Sequence, residues 1–448
     1  MLRRELAIVL RARLTWLAAV LSALLVGHGF VLAVDLFSAG SRSVKGNALM
    51  AREFDPLLGI VRPTLGGLYL AVSLLGPLVA ARGLSIEKER RTFAALLLQN
   101  AAPARLVAAK FVAALAGVGL QMIAPLLLLG VWLAAGGHLA LAETAVAFLA
   151  YVLYVALVTA IAVAAAAFVE SLAQAATLAI LVIAASWAVD ASEGFAALVW
   201  LGSALDWSVT THLYPMERGT LAVGALLWMA TLAAGTLVMA WIGVRSLGGS
   251  RTRGVLTCGA VALTLAAGTL AHRVRTAYDL TEARRGSLPP APARALAALI
   301  GPLRIEVFLD RDDPRRRQLE VDLLAKLRIA RSDLEVVYPL DDRPAPAEAE
   351  RGPLYGKIIV HVGNERRETY SASRKELTTL IFEAARQSLP DWSQRDYPGY
   401  PIVIDGGART AVLGLAYGGI PLTILLGGWL LTRSRRRQSL PGRDAPSC

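Results

Sequence analysis

The sequence predicts a polytopic α-helical membrane protein of about eight spans, both termini cytoplasmic, with one small α/β domain on the extracytoplasmic side. Three observations carry that prediction. Mean hydropathy is +0.52 and 55% of the 448 residues are hydrophobic, more than a soluble core of this length needs. Eight apolar runs approach or exceed the ~20 residues that a helix needs to cross a bilayer. Lysine and arginine gather at alternate ends of those runs, the bias that orients membrane helices.

In chain order the runs are Leu14–Leu36, Ile60–Ala80, Leu106–Ala135, Thr144–Val169, Ala175–Val189, Leu221–Val244, Gly254–Ala271 and Ala411–Leu431, the fifth and seventh being the shortest. The first follows two early arginines, as a signal peptide would. It is too long for an h-region and more spans follow, so it reads as an uncleaved helix with the preceding stretch along the inner surface. Residues 1–250 then hold six spans, 251–271 a seventh, 272–407 the extracytoplasmic domain, 408–432 an eighth, and 433–448 a basic cytoplasmic tail, read as disordered.

Orientation follows from the short-loop cations. Arg3, Arg4, Arg11 and Arg13 precede the first span; Arg82, Lys88, Arg90, Arg91 and Arg105 flank the link between the second and third. Arg245, Arg251 and Arg253 follow the sixth, and Arg433, Arg435, Arg436, Arg437 and Arg443 follow the eighth. The intervening loops hold only Arg42, Lys45, Arg52 and Arg218. The arginine-rich ends are therefore assigned to the cytoplasm.

A charge inside the hydrocarbon is costly, so polar residues within spans are candidates for a pathway or for helix packing. Lys110 lies a few residues into the third run, where it can snorkel to the surface. Gln121 is mid-span, suited either to interhelix hydrogen bonding or to translocation. His28 stands beside Gly27 and Gly29, small residues that allow close packing. Glu170 and Asp190 fall at span ends and read as solvated; Pro77 and Pro125 are candidate kinks.

The extracytoplasmic domain has a different texture. Leu303–Leu309 alternates with β-branched residues and reads as a strand. Asp313 before Pro314 is an N-cap followed by proline at the first helical position, and Leu319, Leu323, Leu324 and Leu327 recur at helical spacing. Leu334–Tyr338 and Lys357–Val362 give two more strands, and Gly363-Asn364 turns the chain into a fourth, Arg366–Tyr370. Ser373 and Glu376 form a capping box that opens a helix to about Gln387. The order is similar to a minimal thioredoxin-like core, without a Cys-x-x-Cys for redox chemistry.

Several function classes are excluded. The net charge of +12 sits almost wholly in the cytoplasmic arms, since residues 271–407 carry 22 basic and 21 acidic side chains; it fits anionic lipid and not nucleic acid. Two cysteines, Cys258 within a span and Cys448 at the last position, predict no structural disulfide, and the five histidines lack zinc-like spacing. No G-x-x-x-x-G-K-[ST] loop, G-x-S-x-G elbow or H-E-x-x-H is present, nor paired carboxylates in an obvious pocket, so no cofactor is expected and the chain is read as no enzyme by itself.

One cytoplasmic loop stands out. Glu87, Lys88, Glu89, Arg90, Arg91 and Thr92 lead into the apolar stripe Phe93, Leu96 and Leu97, then Pro103, Arg105 and Lys110. This stretch, SIEKERRTFAALLLQNAAPARLVAAK, resembles the signature of ABC-2 type transporter permeases, whose acidic-basic cluster starts a coupling helix that docks on the ATPase subunit. It departs from that signature at Arg91, where glycine is common, at Ala94 and Ala95 in more polar positions, and in a compressed Pro103-to-Lys110 spacing. Downstream, Tyr278-Asp279-Leu280-Thr281 with Ser287-Leu288, the stretch PLRIEVFLDRDDPRRRQLEVDLLAKL, and Leu354-Tyr355-Gly356 with KIIVHVGNERRETYSASRKELTTLIFEA resemble the auxiliary subunit of gliding-motility-type (Gld-type) ABC transporters. That subunit's larger second extracytoplasmic domain has no counterpart here.

The two resemblances imply a permease subunit fused to a shortened auxiliary subunit, in a bacterial cytoplasmic membrane. They imply a separate cytoplasmic ABC ATPase as motor, docking on Glu87–Leu97, and a second permease copy or similar chain to complete a pathway. The extracytoplasmic domain would meet substrate or an envelope protein. An alternative is a non-transporting scaffold that anchors an envelope or motility assembly through that domain.

Overall fold

The structure is a computed structural model that describes residues 1–44, 46–93, 102–191, 204, 207–245, 250–310, 313–331, 333–341, 354–391 and 397–438. Eight helices among them are long and apolar enough to cross a membrane: Arg13–Ser43, Leu57–Glu89, Pro103–Ala134, Leu141–Phe168, Leu172–Asp190, Val223–Val244, Arg251–His272 and Gly406–Arg433, called spans one to eight here. The chain is thus a multi-pass helical membrane protein. Most helices outrun their apolar cores, because the backbone keeps its i→i−4 bonds into the polar flanks. Span two gains the most, running on to Glu89, and the extension of span one carries Ser38, Ser41 and Arg42 in helical register. The last helix likewise continues through Arg433 to Gln438, so the start of the basic tail is helical and not disordered.

The chain forms two compact units, Met1–Ala185 with Ala225–His272 and Pro398–Cys448, and Ser186–Gly224 with Arg273–Tyr397. The second takes in residues 186–224, which the sequence reading left with the six spans.

In the first unit small residues let helices meet backbone to backbone, the packing that membrane helices use in place of a hydrophobic drive. A Cβ on Gly67 of span two would lie 3.0 Å from the Val26 Cα of span one, and one on Gly27 would lie 2.8 Å from the Ala416 carbonyl of span eight. Span three is interrupted by a 3-10 turn at Leu120–Met122, ahead of Pro125. The far end of span one is stapled to the extended chain that enters span eight. The Ser38 hydroxyl accepts the Ile404 N–H at 2.9 Å and donates to the Ile404 carbonyl at 3.1 Å, while Ser41 Oγ accepts the Ile402 N–H at 3.1 Å.

In the second unit, β1 (Thr220–Ala222) pairs antiparallel with β2 (Ala277–Asp279). The chain leaving β2 is locked by Asp279 Oδ1, which accepts the N–H and hydroxyl of Thr281 at 2.9 and 2.5 Å. A four-stranded sheet follows, from β3 (Leu303–Val307), β4 (Glu335–Val337), β5 (Ile358–Val362) and β6 (Glu365–Thr369), in the order β4-β3-β5-β6. β3 and β4 are parallel; the other two pairings are antiparallel. The helical stretch 314–330 links β3 to β4, and helix Arg374–Ala384 follows β6. The predicted leucines Leu319, Leu323, Leu324 and Leu327 are buried in the core with Ile305, Val360 and Ile381. The expected capping box does not form: Ser373 is the N-cap without a side-chain bond, and Glu376 instead accepts the Thr369 hydroxyl at 2.5 Å.

Candidate functional site: a charged junction in the helical unit

Glu87, Lys88 and Glu89 are the last turn of the span-two helix, not the start of a separate one. Successive residues on a helix point about 100° apart, so three neighbours at its end face three directions. Each meets a different element.

Glu87 faces span three. Lys110 lies there, 4% exposed, with its ammonium 2.5 Å from Glu87 Oε1, 2.7 Å from Glu5 Oε2 and 3.0 Å from the Gly83 carbonyl. Three N–H donors meet three acceptors, so Lys110 is held inside and does not snorkel. Glu5 belongs to the short helix Leu2–Leu10, whose Arg3, Arg4 and Ile8 stay exposed while Glu5 and Val9 are buried. Two carboxylates share one ammonium, and Glu87 Oε2 is buried without a partner among the described residues.

Lys88 faces span four. Its ammonium donates to the carbonyls of Ala166, Ala167 and Val169 at 2.7, 2.7 and 3.0 Å. These lie at that helix's C-terminal end, where carbonyls lack intrahelical partners and a cation complements the dipole. Glu89 faces span five and accepts the N–H of Leu172, its first residue, at 2.8 Å. The opposite logic applies there, an anion on free N–H groups.

The helix then stops in a Schellman cap. The Arg91 N–H bonds the Lys88 carbonyl and the Thr92 N–H bonds the Glu87 carbonyl, each at 3.0 Å. This closure needs a left-handed residue after the C-cap, and Arg91 supplies it at φ +57°. Glycine adopts that conformation freely, whereas arginine adopts it at a steric cost. Arg90, Arg91 and Thr92 are exposed, and Phe93 sits 5.8 Å from the Lys88 ammonium. Leu96 and Leu97 lie outside the described residues.

The other two candidates stand apart from this junction. Gln121 occupies the 3-10 turn of span three, 1% exposed, with neither amide atom partnered among the described residues. His28 is exposed, and its Nδ1 lies 2.8 Å from the Tyr417 hydroxyl of span eight. Asp190, read as solvated, accepts the Ser208 hydroxyl and, at 2.7 Å, that of Thr210.

Sequence reasoning missed Glu5 and the span-four carbonyls. Glu5 did leave a signal, as the single acid among Arg3, Arg4, Arg11 and Arg13. Comparison of the chain with family models, curated proteins and solved structures finds no match.

Proposed function

We propose that the chain is the membrane subunit of an ATP-driven ABC-2 type transporter, carrying a shortened Gld-type auxiliary domain. The observation that supports this most is the junction. Glu87, Lys88 and Glu89 tie the end of span two to spans three, four and five, and through Lys110 to the N-terminal helix. The exposed residues Arg90, Arg91 and Thr92 lead out of it. A force applied there would reach four spans through short charged contacts. The arginines at that end assign it to the cytoplasm, where a separate ATPase subunit would supply the force. A second copy or a similar chain would complete the pathway.

The order β4-β3-β5-β6, with a helical link inside the parallel pair and a second helix after the antiparallel pair, supports a thioredoxin-like reading of the auxiliary domain. Its role would be binding, either of substrate or of an envelope protein.

Glu87 and Glu89 have internal partners, so replacing them would disturb the helix ends along with any docking. Arg90→Glu with Arg91→Glu instead changes exposed groups. The test is purification of the chain from its native membrane in mild detergent, with mass spectrometry of what stays bound. A nucleotide-binding subunit is expected with the wild type and lost with the double substitution. Envelope proteins without any ATPase would overturn the transporter reading and favour a scaffold.

A further inference from the structure

A cleft of about 400 Å³ opens between the far end of span one and the start of span eight, lined by Asp35, Ser38, Arg42, Asp405 and Arg409 among others. Its floor is built by the Ser38 staple on Ile404, a buried hydroxyl used as both donor and acceptor. Arg409 gives its Nε and one Nη2 donor to the two Asp35 oxygens, each at 2.9 Å, which leaves three of its five N–H groups. Arg42 and Asp405 stand exposed on the rim. Two guanidinium groups and two carboxylates therefore surround the cleft, with no net charge.

Its place narrows the occupant further. It lies in the last turns of span one and the first turn of span eight, where these helices leave the apolar layer. Along the same two helices Leu32, Leu36, Leu415 and Leu422 are 42–66% exposed. A soluble anion would use the guanidinium groups and leave the apolar faces and Asp405 idle. An anionic lipid would bring no cation for Asp405.

We propose that this cleft binds the headgroup of a zwitterionic phospholipid. The phosphate sits between Arg409 and Arg42, where planar N–H forks match its oxygens. The ammonium sits at Asp405, and the acyl chains follow the exposed leucines of spans one and eight.

The test uses the full chain, purified in detergent and offered phosphatidylethanolamine, phosphatidylglycerol or inorganic phosphate, with retained lipid read by native mass spectrometry. Phosphatidylethanolamine is expected to be retained over phosphatidylglycerol, and millimolar inorganic phosphate is expected not to displace it. Arg42→Gln with Asp405→Asn spares both the Asp35–Arg409 pair and the Ser38 staple. Losing charge-assisted bonds should lower its retention about tenfold or more. Undiminished retention by this variant, preference for phosphatidylglycerol, or displacement by phosphate would each overturn the proposal; the wild-type competition stands without any variant.

Discussion

The ammonium of Lys110 bridges Glu5 and Glu87, and Lys110→Met removes it while keeping most of the side chain's length and bulk. The wild-type group makes three short contacts at 2.5, 2.7 and 3.0 Å, and it is 4% exposed beside a Glu5 that is 5% and a Glu87 that is 17% exposed. The substitution would leave two carboxylates facing each other with little water. Breaking a buried pair in this way costs about 3–5 kcal/mol, most of it from the stranded charge and not from the lost attraction. That is a large share of the roughly 5–15 kcal/mol that holds a typical native state. In detergent, Lys110→Met should lower the unfolding midpoint sharply and release the helix Leu2–Leu10, making Arg3, Arg4 and Arg11 early trypsin sites. Glu5→Gln and Glu87→Gln added to Lys110→Met should recover most of the loss, since no charge is then stranded. A Lys110→Met protein with wild-type midpoint and trypsin pattern would refute the reasoning.

Three further outcomes are expected. Arg91→Gly should stabilise the protein by about 0.5–1 kcal/mol, because φ +57° is strained for arginine and free for glycine. A rise of roughly a degree or two in midpoint, absent from Arg91→Ala, would show it. Gly399→Ala should destabilise by more than about 2 kcal/mol, since φ is +69° and a Cβ there would fall 1.7 Å from the Ala51 carbonyl; a midpoint unchanged in detergent would refute it. In the second unit, the Arg315 hydrogen bond chiefly, with help from Tyr355, holds the Asp313 carboxyl down to about 2 against the desolvation that opposes ionisation. A depressed acid stabilises fully above its ordinary pKa and loses that contribution as pH falls through the folded value. The midpoint deficit of Asp313→Asn should therefore be constant from pH 7 to 5 and shrink from about pH 4 toward 2. A deficit independent of pH down to 2 would refute that account.

Much of the fold was legible because its signals are local. Apolar runs marked all eight spans, and the alternation in Leu303–Leu309 marked β3 before any partner strand was known. The leucines at 319, 323, 324 and 327 marked the buried face of the following helix. The failures share one cause. Ser373 and Glu376 have the spacing of a capping box, yet Thr369 from the preceding strand takes the carboxylate. Lys110 has the position of a snorkelling lysine, yet acids from two other elements reach it first. At the end of span two an outward charge cluster was expected, whereas Glu87, Lys88 and Glu89 are largely committed to neighbouring helices.

Hydropathy over about 20 contiguous residues is enough to place a helix in or out of a bilayer. So the sequence alone determined a multi-pass helical protein, the eight apolar spans found among the described residues, and the order of strands and helices from Leu303 to Ala384. Which way each charged side chain turns depended on what stood within 3 Å of it in space. Lys110 meets Glu5 across 105 residues of chain, and Lys88 meets Ala166 across 78. Only the tertiary structure could decide those pairings, because a buried ammonium must find its acceptors wherever the packed helices bring them.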